Sequence, residues 1–193
     1  MDEAARGRLL MVLLDTSVLA YLLYPTGHIP IDPSTGEPVT YCQERLEHFV
    51  NVHQRSKILV ATPSYAEFLV HAGQRYEEVL ELFKRSSALK VVPFDEASSL
   101  ECAMLELEAR DSGDKRSGSS APWQKVKVDR QIVAIGLFYG VDCLYTEDIN
   151  MRAVAQRAGL DVKGIADMPI PEAARQHRLD LQDAVVQQSP QLS

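Results

Sequence analysis

Two periodicities alternate along this chain. Residues 9–14 form an unbroken apolar run, as expected of a strand buried on both faces. Residues 18–23 stay apolar without strict alternation and predict a short helix. Pro25, Pro30, Pro33 and Pro38, with Gly27 and Gly36, then interrupt regular structure, so 29–39 reads as a surface loop or small hairpin. A helix is expected over 43–54, a buried strand over 57–61, and a further helix starting at Pro63 and Ser64. Val79, Leu80 and Phe83 repeat at helical spacing and predict an amphipathic helix over 76–85. A third strand follows over 89–94. Asp95 is a candidate N-cap for a helix carrying Ala97, Leu100, Met104 and Leu107. Residues 111–122 are polar and rich in glycine and serine, and predict a mobile loop. Beyond it come a helix over 129–139, a strand over 142–146, a helix over 149–158 closed by Gly159, and a short strand over 162–165. The glutamine-rich end from residue 176 is expected to fray.

Five strands alternating with helices indicate an α/β domain with a mostly parallel sheet. Such sheets bind ligands beyond the carboxyl ends of their strands, where the strand order reverses. Four acids fall at positions that could share that edge. Asp15 ends the first strand (V-L-L-D-T-S-V-L), Asp148 follows the fourth (C-L-Y-T-E-D), Glu67 lies early in the helix after the second, and Asp129 opens K-V-D-R-Q-I-V-A-I. Crowded carboxylates repel one another, and a hard divalent cation such as Mg²⁺ or Mn²⁺ relieves the repulsion. A site of that kind grips phosphate oxygens and activates water for attack on a phosphodiester. Singly, each acid has a plainer explanation. Glu67 or Asp129 suits a helix start, and Asp148 could cap the helix after it. Asp15 is harder to dismiss, because a charge in so apolar a stretch costs several kcal/mol unless it is paired or metal-bound.

Composition narrows the function classes. With 46% hydrophobic and 24% charged residues, the 193-residue chain is neither disordered nor fibrous. Cys42, Cys102 and Cys143 are far apart and odd in number, which argues against a disulfide framework and fits a reducing cytoplasm. The apolar stretch 9–24 is broken by Asp15 and follows an acidic start, so neither a membrane span nor a signal peptide is expected. His28, His48, His53, His71 and His177 form no zinc motif, and no dinucleotide or P-loop glycine pattern is present. The net charge of -7 gives no global basic footprint for nucleic acid. Its distribution matters more. Between Arg110 and Arg130 six basic residues face three acids, so a basic flap precedes Asp129, with Trp123 available to stack a base.

The ordered set L-L-D-T-S-V-L, P-S-Y-A-E-F, V-D-R-Q-I-V-A and Y-T-E-D resembles the PIN-domain family, which includes the VapC-type toxin ribonucleases. The resemblance covers roughly residues 11–168 in broken segments. It implies a three-layer α/β/α sandwich with a mostly parallel sheet of about five strands. It assigns Asp15, Glu67, Asp129 and Asp148 to the acidic positions that bind Mg²⁺ or Mn²⁺, with Thr16 or Ser17 and Thr146 as the accompanying hydroxyls. It implies an endoribonuclease acting on RNA, single-stranded RNA being favoured, with a small antitoxin protein and a homodimer as partners. Lys125, Lys127, Arg130 and Arg152 are the residues expected to position the nucleic-acid backbone. The chain is longer than compact toxins of this type. The excess falls in an N-terminal extension 1–10, insertions 25–42 and 111–124, and a C-terminal tail 169–193. Two other readings stay open: a PIN-like binding or regulatory module that no longer turns over, and a DNA-directed nuclease of repair or phage defence.

Overall fold

The computed structural model describes residues 10–24, 29–32, 35–53 and 56–174. The expected fraying from residue 176 and most of the tail and of the N-terminal extension lie outside them. Five strands, β1 (Met11–Leu14), β2 (Lys57–Ala61), β3 (Leu89–Val92), β4 (Cys143–Tyr145) and β5 (Val162–Lys163), form one sheet in the order β3-β2-β1-β4-β5. All four pairings are parallel. The chain runs outward from β1 to β3, then crosses back to lay β4 on the other side of β1. The strand order therefore reverses at β1, and a crevice opens past the carboxyl ends of β1 and β4.

Strand side chains divide between two cores by the period of two. Val12, Leu14, Ile58, Val60, Cys143 and Tyr145 face one layer of helices, α1 (Thr16–Leu23), α2 (Cys42–Val52), α3 (Thr62–Ala72) and α4 (Tyr76–Arg85). Leu13, Leu59, Ala61 and Leu144 face the other, where α6 (Trp123–Tyr139) and α7 (Ile149–Arg157) supply Val126, Ile132, Val133, Met151 and Val154. α5 (Glu96–Asp111) packs outside α6. This is the three-layer α/β/α arrangement. Among the described residues no helix is long and apolar enough to cross a membrane.

Local chemistry explains several boundaries. Asp95 caps α5 through a reciprocal box, its Oδ1 accepting from the Ser98 amide at 3.0 Å while Ser98 Oγ accepts from the Asp95 amide. Pro63 sits in the first turn of α3, where its missing N–H costs nothing. Gly159, at φ +81, ends α7. The hairpin expected near residue 29 is present as an antiparallel bridge between Ile31 and Pro38.

The helix that Asp95 was expected to cap is present as α5; Leu100, Met104 and Leu107 share one exposed face of it, and it buries Ser98 and Ala109. Periodicity marks a helix and not the side its neighbours cover. One expectation is corrected. Residues 111–122 are no slack flap. They form turns held by Ser117 N to Asp114 O and Ser119 N to Arg116 O, and are tied to α7 where Ser119, Ser120 and the Ser120 amide all donate to Asn150 Oδ1. The helix after them begins at Trp123, six residues before Asp129.

Leu13 has no exposed surface and lies mid-sheet. Leu13→Ala is expected to cost about 2–5 kcal/mol, read from the shift of the urea unfolding midpoint. A loss under 1 kcal/mol would show that the second core closes over the gap.

Candidate active site

A cleft of about 730 Å³ opens at the crevice, lined by Asp15, Thr16, Ser17, Glu67, Gln124, Lys125, Asp129 and Asp148, with His71 and Val128 at its walls. All four acids therefore reach one cleft from four places in the sequence.

Asp15 follows β1 directly, its amide still bonded to Tyr145 O at 3.0 Å, and its carboxylate is buried. Oδ2 accepts from Thr146 Oγ (2.9 Å) and Ser17 Oγ (3.1 Å), while Ser64 Oγ lies 3.5 Å from Oδ1. Burial raises its pKa, partly offset by Thr146, the Thr16 amide and Ser17. Thr146 is a junction: it donates to Asp15 and accepts from the Asp148 amide at 3.0 Å. Ser17 performs the same double task, accepting from the Glu147 amide at 3.0 Å. Thr16 donates to Glu67 Oε2 at 2.7 Å. The three hydroxyls thus hold the carboxylates of Asp15 and Glu67 and tie Asp15 to the turn that carries Asp148.

Asp148 caps α7, as its plainer reading has it, but with only half its carboxylate. Oδ1 accepts from the amides of Asn150 and Met151, and Oδ2 meets Lys125 Nζ at 2.8 Å. Burial works to raise its pKa, but Lys125 and those amides prevail and hold it below the usual range. Asp129 lies on the second turn of α6, almost fully buried at 1% exposure. Its Oδ1 meets Lys125 Nζ at 3.2 Å, and Oδ2 is buried without any hydrogen-bond partner. Burial pushes its pKa up to about 6 despite Lys125.

Among the described residues no three of these side chains converge closely enough to chelate one ion; the cation between Asp129 and Asp148 is Lys125. The donor set nevertheless suits a hard divalent cation. It is all oxygen, it is charged beyond what one ammonium balances, and it leaves one carboxylate oxygen orphaned in a buried position.

The expected nucleic-acid residues separate. Lys125 turns inward to the acids. Lys127, two residues on, faces the groove toward α5, its Nζ 5.6 Å from the Trp123 ring centre. Arg130 is buried at 1% exposure and is spent on Glu106, Lys115 O (2.9 Å) and Ser117 Oγ (3.0 Å), so it is a structural clamp and cannot meet a phosphate. Arg152 donates to Thr146 O at 3.3 Å behind the cleft. Trp123 is crowded by Lys115, Lys127 and Arg130 within 6 Å of its ring, which leaves a cation cage where base stacking was expected. Glu147, adjacent to Asp148 in sequence, points away and accepts from the Ile165 amide. Ser64, His71 and Gln124 were not singled out for the site. Ser64 and His71, each one helical turn from Glu67 on α3, carried a spacing cue; Gln124 carried none.

No family model and no curated protein matches the sequence. Solved structures do match the fold. About four fifths of this chain covers 99% of a chain of the DNA-bound VapBC complex of Salmonella typhimurium, at 16% identity and a TM-score of 0.54, covering 81% of this chain. It covers 98% of a chain of Rickettsia felis VapBC2 bound to a promoter DNA fragment, at 12% identity and TM-score 0.53, with 80% of this chain aligned. Haemophilus influenzae VapBC-1 is covered completely, at 15% identity and TM-score 0.54, by 82% of this chain. The fold is a PIN-like α/β/α fold shared with these VapBC structures.

Asp129 binds more protons folded than unfolded between pH 3.8 and about 6, because its folded pKa is the higher. Metal-free stability should therefore fall as pH rises through that window, with Asp15 adding in the same direction. Asp129→Asn should flatten the slope and gain about 1–3 kcal/mol at pH 7, measured by urea melts in EDTA. An unchanged slope in that variant would place its origin elsewhere.

Proposed function

We propose that this chain is a divalent-metal-dependent endoribonuclease of the VapC-like toxin type, acting on single-stranded RNA inside a reducing compartment and restrained by a small antitoxin. The observation that carries the reading is the orphaned, buried Asp129 Oδ2 in a cleft shared with Asp15, Glu67 and Asp148. The shared fold with VapBC structures supports the toxin class and the antitoxin partner.

Asp15, Asp129 and Asp148 are the residues that would hold Mg²⁺ or Mn²⁺, with Glu67 as a further ligand or as the group that orients a water. A bound ion supplies charge neutralisation at the phosphate and a water of lowered pKa. The chain's own residues do the positioning. Thr146 and Ser17 fix Oδ2 of Asp15, and Ser64 Oγ lies 3.5 Å from Oδ1. Asp148 is anchored at Oδ1 by two backbone amides, so its other oxygen, the one Lys125 contacts, is held at a defined place. Glu67, held by Thr16 but half-exposed, is the acid with room to accept a proton from an attacking water. His71, 3.9 Å from Glu67, and Gln124 line the path by which an RNA strand would enter.

Asp15→Asn should lower Mn²⁺-dependent cleavage of a labelled single-stranded RNA by about 100-fold or more while the circular dichroism spectrum stays unchanged. EDTA should remove wild-type cleavage, and Mn²⁺ restore it. Full activity in the variant removes the mechanism. Cleavage of a matched DNA in preference to RNA would redirect the substrate, and neither binding nor cleavage with Mn²⁺ would leave a non-catalytic module.

A further inference from the structure

The cation inside the acid cluster belongs to the chain itself. Lys125 Nζ lies 2.8 Å from Asp148 Oδ2 and 3.2 Å from Asp129 Oδ1, joining α6 to the turn after β4. The position on α6 does little by itself to reward a lysine there. It occupies the first turn, where the helix dipole disfavours a cation, and it precedes its acidic partner at i,i+4, the weaker of the two orders. Its stabilisation comes from the two carboxylates. The arrangement is incomplete as well: one ammonium engages one oxygen of each acid, and Asp129 Oδ2 stays buried and unpartnered. Nor is the lysine locked in. Its side chain is 42% exposed beside the open cleft, unlike the sealed Arg130 one turn along.

We propose that Lys125 is a built-in counter-cation of the acid cluster: its ammonium holds the position between Asp129 and Asp148 in the metal-free protein, and a divalent ion displaces it. The inference rests on the metal-binding reading above and adds to it a competitor inside the chain. It accounts for how carboxylates so placed coexist before loading, since each of the two is neutralised in part without an ion. Once displaced, the ammonium is released at the wall of the cleft, where an anionic phosphate replaces its lost partners. Because ion and ammonium compete for the same oxygens, each weakens the other by the same factor. Lys125 is thus a positioning residue that sets metal affinity.

The test uses the full chain stripped with EDTA, with Mn²⁺ affinity read by calorimetry for wild type, Lys125→Met and Lys125→Arg. Lys125→Met should bind Mn²⁺ roughly tenfold more tightly, and Lys125→Arg, which keeps the charge, within about twofold of wild type. The metal-free melting temperature of Lys125→Met should fall, and the gap should close in saturating Mn²⁺. A merely structural lysine would give weaker binding on removal, so equal or weaker binding by Lys125→Met overturns displacement. Should that variant not fold, ¹³C-methylated wild type titrated with Mg²⁺ decides. The Lys125 signal, assigned with Lys125→Arg, must move with the binding isotherm, and a signal unmoved at saturation overturns the proposal. If wild type and both variants bind neither ion, the metal-binding reading fails and displacement with it; tight binding that is indifferent to Lys125 sinks displacement alone.

Discussion

Buried negative charge at the carboxyl edge of the sheet is the constraint around which this molecule is arranged. Asp15 terminates a strand with apolar cores on both faces, and Asp129 lies almost wholly under the surface of α6. Taking a carboxylate out of water costs several kcal/mol unless charges or donors answer it. The neighbours supply those answers unevenly. Asp15 receives hydroxyls, Asp148 receives backbone amides and a lysine, and Asp129 receives half of that lysine. The pKa directions follow the same ranking: lowered for the best-served acid, raised for the others.

The hydroxyl frame links this electrostatic problem to the topology. Thr146 and Ser17 each bond an acid on one side and a backbone amide of the β4–α7 turn on the other. The two strand ends flanking the switch in strand order are therefore stitched through the very groups that aim Asp15. Rigidity at the base of the cleft and orientation of its acids are one property. A site built on strand ends in this way tolerates insertions elsewhere, since the chain can lengthen in its loops without moving β1 against β4.

The segment before α6 plays a structural part where a mobile basic flap was expected. Arg130 crosses from α6 to Glu106 on α5 and to the turn at Lys115 and Ser117, so its charge is consumed in closing the second core. Trp123 takes Lys115 and Lys127 beside its ring along with that arginine. The basic residues counted near Asp129 thus divide into one facing the acids, several binding the protein to itself, and few left for a partner. Local net charge was a poor guide because it cannot distinguish a paired guanidinium from a free one.

The strand runs, the Asp95 cap and the alternation of periods were legible in the sequence because burial on two faces and capping are properties of a few adjacent residues. Asp15 and Asp148 were legible for a related reason: parallel strands carry their carboxyl ends to one edge, so an acid just past a strand has few other places to go, whereas Glu67 and Asp129, inside α3 and α6, were marked by the order of the motifs. What the tertiary structure alone decided is the set of partners. Leu100, Met104 and Leu107 look like a core stripe until the neighbours of α5 are known, and Arg130 looks like a phosphate ligand until Glu106 is seen opposite. Lys125 reads as one more basic residue until Asp148, 23 positions away, comes within 2.8 Å of it. Periodicity and motif order are local quantities; whether a charge is answered depends on groups brought together only by folding.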